Sequence, residues 1–261
     1  MCGIAGYSLS AASAVDRTLA AQALLAGIAE RGADAVGYAY SAGGSVEIEK
    51  QPSGASALLE DVVLPASVSE ALVHVRDYTK GHPTIEANNH PIRHGAVVGV
   101  HNGIIFNDDE LMVEHGFQRA EPDMTVDSEA IFALAEATEG LPASLEELRG
   151  SMATAWLDER QPGRVFLARG VGRPLWIGAG KEELFFASTK AALEVVEQYL
   201  RLKLRKKEIG EGTYVVAAEG SELEREKFRP NRDFEEQELP AVRAPQEASF
   251  CLQRLAALAT L

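Results

Sequence analysis

The hydrophobic pattern changes period several times along the chain, and each change predicts an element. Gly3-Ile4-Ala5-Gly6-Tyr7 is an apolar run without alternation, which predicts a buried strand over 3–9. From Asp16 to about Glu30 the period becomes helical. Ala21, Leu24, Leu25 and Ile28 fall at i, i+3, i+4 and i+7, on one face, and Asp16 is placed to cap the N-terminus. The polar, Gly-punctuated stretch Arg31–Gly37 leads into strands predicted at 36–41 and 45–49, joined by Gly43-Gly44. Another strand is predicted at 71–75, followed by a polar loop from Arg76 to about His94. The apolar run Ala96–Val100 is expected to break at His101-Asn102-Gly103, since Asn-Gly is a turn signal, and to resume at Ile104.

Downstream, helices are predicted at 108–115, 128–138 and 189–200. Strands are predicted at 152–157, 164–169, 174–178, 184–187, 213–218 and 222–228. Many short strands with helices set apart in pairs argue for α+β layers rather than a parallel βαβ fold. After Arg229 the strand signal fades, and Pro230, Pro240 and Pro245 mark a tail. The expected division is a domain over 1–228 and a tail over 229–261. Residues 247–261 should form a short helix whose Cys251, Leu255 and Leu258 dock on the domain or on a separate subunit.

Composition narrows the function. The 261 residues are 46% hydrophobic and 25% charged, an ordinary globular mixture that suits one large domain or two small ones. A net charge of −14 argues against a nucleic-acid partner held through its phosphates. Two cysteines, Cys2 and Cys251, make neither a disulfide framework nor a zinc site. The N-terminus has no basic segment followed by an apolar run, so no signal peptide is expected, and no apolar run approaches the ~18 residues of a membrane span. A reducing cytoplasm is the expected compartment.

Cys2 is the most informative residue. If Met1 is removed, Cys2 carries a thiol and a free α-amine together. The thiolate is the nucleophile, and an α-amine, which titrates near pH ~7.7–8.0, can take the thiol's proton close to neutrality. Considered alone, a cysteine at this position is a small buried hydrophobe. The motifs downstream change that reading. They are Arg31-Gly32-Ala33-Asp34, His74-Val75-Arg76, Asn88-Asn89-His90-Pro91, His101-Asn102-Gly103 and Val126-Asp127-Ser128-Glu129. Arg169-Gly170-Val171-Gly172-Arg173-Pro174-Leu175 and Phe186-Ala187-Ser188 follow.

In this order the motifs resemble a class II glutamine amidotransferase domain of the N-terminal nucleophile type. The chain is most similar to the glutaminase domains of the glucosamine-6-phosphate synthases and the phosphoribosyl-pyrophosphate amidotransferases. The resemblance runs from Cys2 to about Leu193, and more weakly to Phe228. It implies a four-layer α/β/β/α sandwich with two antiparallel sheets. It also implies a nucleophilic Cys2, with the Asn102 side-chain amide and the Gly103 N–H as oxyanion donors. Arg76 would hold the glutamine α-carboxylate and Asp127 the α-ammonium. Asp127 also stands where it would cap the helix starting near Ser128. Thr79 keeps its place in the substrate loop, while Arg31, His90 and His101 are supporting residues. No metal or organic cofactor is implied.

The chain departs from the family in two places. Ala35 replaces the serine after Arg-Gly-x-Asp, and Asp77 sits where the synthases carry a tryptophan. The implied reaction is hydrolysis of the glutamine amide to glutamate and ammonia, for an acceptor on a separate subunit or of unknown identity, an ammonia-accepting synthase subunit being one candidate partner. Two alternatives stay open: an amidohydrolase of another γ-glutamyl compound, and a non-enzymatic glutamine-sensing module.

Overall fold

The computed structural model describes residues 2–236 and 240–259; Met1 and the last two positions of the predicted tail helix lie outside them. The first third of the chain forms β1 (Gly3–Leu9), α1 (Arg17–Ile28), β2 (Ala35–Ala42), β3 (Ser45–Gln51), α2 (Ala55–Leu58) and β4 (Glu70–Arg76). Next come β5 (Ile92–His94), β6 (Val97–Ile105), α3 (Asp108–Glu114), α4 (Glu129–Thr138) and β7 (Gly150–Asp158). The rest is β8 (Arg164–Arg169), β9 (Trp176–Ala179), β10 (Glu183–Ala187), α5 (Lys190–Leu200), β11 (Arg205–Glu208), β12 (Thr213–Ala218), β13 (Ser221–Lys227) and α6 (Pro245–Leu258).

The strands form two antiparallel sheets. One runs β11-β9-β10-β1-β4-β2-β3 and the other β13-β12-β8-β7-β6-β5. Three apolar layers separate four layers of structure. Ile4, Leu72, Val98, Val100, Ala153 and Phe186 fill the space between the sheets. Tyr7, Leu24, Leu25, Val73 and Phe185 lie between the seven-stranded sheet and its helices. Phe132, Trp156, Phe166 and Tyr214 lie between the six-stranded sheet and α4. This is the α/β/β/α sandwich that the family resemblance implies, and it agrees with the α+β layers read from the strand pattern. Along β1, Ile4 faces the inter-sheet layer while Ala5, Tyr7 and Leu9 face the helices. A strand buried on both faces explains the apolar run without alternation.

Local signals placed most elements within a residue or two. Asp16 accepts the Leu19 N–H at 2.7 Å and caps α1, and Thr189 accepts the Ala192 N–H at 3.2 Å and caps α5. α1 is nevertheless buried almost all round rather than on one face. α5 and α6 pack on it as well as the sheet, and Gln22 satisfies its amide on the carbonyls of Leu59 and Val62, each at 3.2 Å. No helix among the described residues is long and apolar enough to cross a membrane.

Two expectations fail here. β6 is not broken at His101-Asn102-Gly103; it pairs with β7 without interruption, Asn102 opposite Ala153 and Gly103 opposite Met152. The glycine absorbs the distortion inside the ladder instead of turning the chain. Its φ is +149°, and a Cβ there would lie 1.9 Å from the Ser151 carbonyl oxygen. The polar loop after Arg76 also contains β5, a three-residue strand paired with β6.

Candidate functional site

Cys2 sits at the mouth of the sandwich. Gly3 pairs with Val75, which puts Cys2 level with Arg76 at the end of the two central strands. Its carbonyl accepts the Arg31 Nε–H at 2.8 Å, and its Sγ lies 3.6 Å from the Asp77 carbonyl oxygen. The approach depends on small residues. A Cβ at Gly3 would lie 2.9 Å from both Ile28 and Val75 side-chain atoms, and one at Gly32 would lie 2.3 Å from the Arg76 carbonyl oxygen. Burial pushes the thiol pKa up; the hydrogen bond to Asp77 and the Arg76 charge pull it down without cancelling the rise. A thiol in this position needs a base to become a nucleophile.

A direct bond between the sheets lies two residues from Arg76 and one from Asn102. His74 Nε2 donates to the His101 carbonyl at 3.1 Å, joining β4 to β6. His90 stacks on His74 with ring centroids 4.3 Å apart. Burial holds His74 and His101 down to about 3, and His90 well below its ordinary value, so all three are neutral near pH 7. In neutral His101, Nε2–H donates to the Ser151 carbonyl at 3.3 Å, and Nδ1 accepts the Ser128 hydroxyl at 2.8 Å. Neutral His74 thus acts as a hydrogen-bond donor between the sheets and neutral His101 as one to β7, and His90 packs on His74.

Asn102 is fully buried, and neither its Nδ2 nor its Oδ1 has a partner among the described residues. Leaving such a group unpaired costs about 1–3 kcal/mol. Arg31 Nη2, His74 Nδ1 and both nitrogens of His90 share this condition. Orphaned polar atoms thus gather around the end of β1 and the middle of β6, an arrangement suited to a polar ligand.

Asp127 and Arg76 lie on the other side. The Asp127 carboxylate does not cap α4; Ser128 takes the cap position, without a side-chain cap bond. Instead Oδ2 accepts the Ile105 N–H at 2.7 Å, which fixes Asp127 to the end of β6. Burial raises its pKa to about 6, and the nearby Asp108 adds to the rise. Arg76 is buried, and the negative charges of Cys2, when ionised, Asp127 and Asp34 all favour its guanidinium. Nη1 donates to Asn89 Oδ1 at 2.7 Å; Nη2 donates to the carbonyls of Lys80 and Gly81 at 2.7 and 2.5 Å. Three of its five N–H groups are therefore engaged, two of them by the loop it would share with a carboxylate ligand.

That loop is tied to the helices after it. Lys80 Nζ lies 2.6 Å from Asp108 and 2.9 Å from Asp109, and Arg119 joins Asp109 at 2.7 Å to Glu129 at 3.0 Å. Asn88 Oδ1 accepts the Thr125 and Val126 N–H groups at 2.7 and 3.0 Å. Thr79 is exposed and makes no hydrogen bond to the described residues. A separate cavity of about 630 Å³, lined by Leu9, Arg17 and Glu70, lies at the far end of β1, and no predicted site residue lines it.

Comparison with known proteins gives this geometry a family. A family model described as a glutamine amidotransferase domain matches residues 79–195. Glutamine–fructose-6-phosphate aminotransferase (isomerizing) of Vibrio vulnificus is 30% identical over 258 residues, covering 90% of this chain and 40% of that protein. The chain contains a class II glutamine amidotransferase domain. The corresponding enzyme of Symbiobacterium thermophilum is 33% identical over 206 residues, covering 74% of this chain and 32% of that protein. The amidotransferase chain thus spans less than half the length of these curated relatives. The fold also matches that of glutamine phosphoribosylpyrophosphate amidotransferase from B. subtilis, with a TM-score of 0.67 at 20% identity over 88% of this chain and 50% of that one.

Several groups of the amidotransferase site escaped the sequence reading. Asn89, Ser128 and Ser151 hold Arg76 and His101. Asn89 and Ser128 lie inside quoted motifs, so their positions were visible though their partners were not. The Lys80–Asp108–Asp109–Arg119–Glu129 network left no signal, because its members look like ordinary surface charge.

Proposed function

We propose that this domain hydrolyses the side-chain amide of glutamine, with Cys2 as nucleophile after removal of Met1. The observation that carries the reading is the placement of a half-buried thiol beside Arg76, one cross-sheet hydrogen bond away from the unpartnered amide of Asn102. The Cys2 α-amine takes the thiol proton. The thiolate adds to the amide carbonyl, and the Asn102 amide and Gly103 N–H receive the developing oxyanion. Collapse forms a γ-glutamyl thioester, and the leaving nitrogen takes the proton to depart as ammonia. Water then releases glutamate and regenerates the thiol. Arg76 holds the substrate α-carboxylate, with a loop carbonyl yielding its N–H, and Asp127 holds the α-ammonium. Arg31 and His101 position the two walls. Ammonia passes to an acceptor carried by a separate synthase subunit, and the cytoplasm keeps the thiol reduced. Residues 1–228 form the catalytic unit, and 229–261 an appended segment.

The test is a glutaminase assay on protein shown by mass spectrometry to begin at Cys2. Glutamate release that is lost in Cys2→Ala, with a thiol-directed glutamine analogue labelling Cys2 and sparing Cys251, is the expected result. Full activity in protein that uniformly retains Met1 would overturn the α-amine mechanism. Activity on other γ-glutamyl amides but not on glutamine would overturn the substrate.

A further inference from the structure

The chain beyond β13 returns across the mouth of the sandwich. Asn231 bridges Arg149, Phe234 packs on Phe106 with centroids 5.7 Å apart, and Glu236 pairs with Arg173. After Pro240 the backbone N–H groups of Arg243 and Ala244 both donate to the Glu30 carbonyl at 2.8 Å. The Arg243 Nε lies 3.1 Å from Asp77 Oδ2 and 3.3 Å from Oδ1. α6 then anchors the segment: Cys251 and Leu255 are fully buried, and Glu247 accepts the Ser56 N–H at 2.8 Å.

Both residues that Arg243 touches adjoin the bonds that hold Cys2. Glu30 precedes Arg31, whose Nε–H binds the Cys2 carbonyl, and Asp77 supplies the carbonyl beside Sγ. We propose that Arg243 is a positioning residue of the amidotransferase site: its backbone fixes it to the Glu30–Arg31 turn, and its side chain latches the Asp77 loop against that turn. The Asp77 loop occupies the position from which the family's tryptophan is absent. The latch therefore sets both the Cys2 rotamer and the entrance past residues 77–82. Arg31 and Asp34 already tie the turn to Cys2 and to Tyr78 from inside, with Asp34 Oδ2 accepting the Tyr78 N–H at 2.9 Å. Arg243 closes the same joint from outside. The proposal rests on the glutaminase reading only for its kinetic consequence.

Arg243→Ala leaves the backbone bonds to Glu30 in place and removes only the latch. The pair is partly exposed, and pairs of this kind are worth up to ~1 kcal/mol, so the expected loss in kcat/KM is about 3–6-fold, carried mainly by KM. Asp77→Asn should lose a similar factor, and Arg243→Ala with Asp77→Asn no more than the worse single variant. Arg243→Lys should recover part of the loss, and exchanging the charges, Asp77→Arg with Arg243→Asp, should recover more than either single change. Iodoacetamide alkylation of Cys2 and amide exchange over 76–82 should shift with the same pattern at an unchanged melting temperature. Unaltered alkylation and exchange in Arg243→Ala, or losses that simply multiply in the double variant, would overturn the latch. If no variant, wild type included, hydrolyses glutamine, the glutaminase reading falls, while the alkylation and exchange measurements still judge the latch.

Discussion

β6 and the loop after β4 flank Cys2 from two sides, and different physics holds each in place. β6 lies inside a ladder with β5 and β7; its His101 and Asn102 are buried, and the His101 ring is held by Ser128 and Ser151. The loop 77–82 is held by its Lys80 and Gly81 carbonyls, which accept from Arg76, and by ion pairs, Lys80 with buried Asp108 and exposed Asp109 and Arg243 with Asp77. Such pairs contribute roughly 0.2–1 kcal/mol each, whereas an unpaired amide in the interior costs about 1–3 kcal/mol. On the proposed reading, the groups that would meet developing charge sit inside a paired ladder, and those that would admit and release the substrate sit on a loop held by single polar contacts.

The comparison is broken most severely at the residue between the two regions. Cys2→Ala should abolish glutamate release and active-site labelling, and residual turnover near the wild-type rate would remove the basis for assigning either wall a catalytic role.

On the rigid side, Asn102→Ala should lower kcat by roughly 10²–10³ with KM closer to normal, because an oxyanion donor acts mainly in the transition state. Steady-state kinetics check this. A KM effect with kcat intact would move Asn102 to the binding side of the comparison.

Asp127 is tied to β6 by its bond to Ile105, and on the proposed reading it holds the substrate ammonium, so it should behave as a binding group. Asp127→Asn should raise KM, at a cost of ~2–5 kcal/mol for removing one partner of a buried charged contact. Its pH dependence follows from a pKa raised from 3.8 to about 6. A carboxyl raised on folding contributes stability that is fully present below the unfolded value and is lost as pH rises through about 6. Ionised Asp127 is thus costly in the free protein, and an ammonium ligand offsets that cost. KM for glutamine should rise as pH falls below about 6, and Asp127→Asn should flatten this limb. A KM profile unchanged by the substitution would separate Asp127 from the substrate.

The smallest effect belongs to the loop side. Lys80→Ala removes the ties to Asp108 and Asp109 and should raise KM only a few-fold, consistent with partly exposed pairs, while leaving kcat unchanged. A kcat loss comparable to that of Asn102→Ala would show that the loop is part of the rigid apparatus.

Much of this molecule is legible from local order. The period-3.6 pattern and Asp16 define α1, the apolar run Gly3–Tyr7 defines a strand buried on both faces, and the spacing of short strands defines α+β layers. Cys2, Arg76, Asn102 and Asp127 could be picked out because their residue types and motif order carry a chemistry. Local order misleads where a partner strand decides. Asn102-Gly103 has the letters of a turn, yet the ladder with β7 keeps it extended, since pairing on both sides of Gly103 outweighs a two-residue preference. β11 is Arg205-Lys206-Lys207-Glu208, a charged edge strand that exists only because β9 offers its backbone.

The sequence by itself therefore determined the elements with strong periodicity and the residue types at the site, because those depend on neighbours within a few positions. Only the tertiary structure decided which groups meet. The bond from His74 to His101, the tie from Lys80 to Asp108 and the return of Arg243 to Asp77 span 27, 28 and 166 residues. They are single polar contacts without period or composition to announce them, and their geometry follows from two sheets packing face to face and from a helix docking on α1.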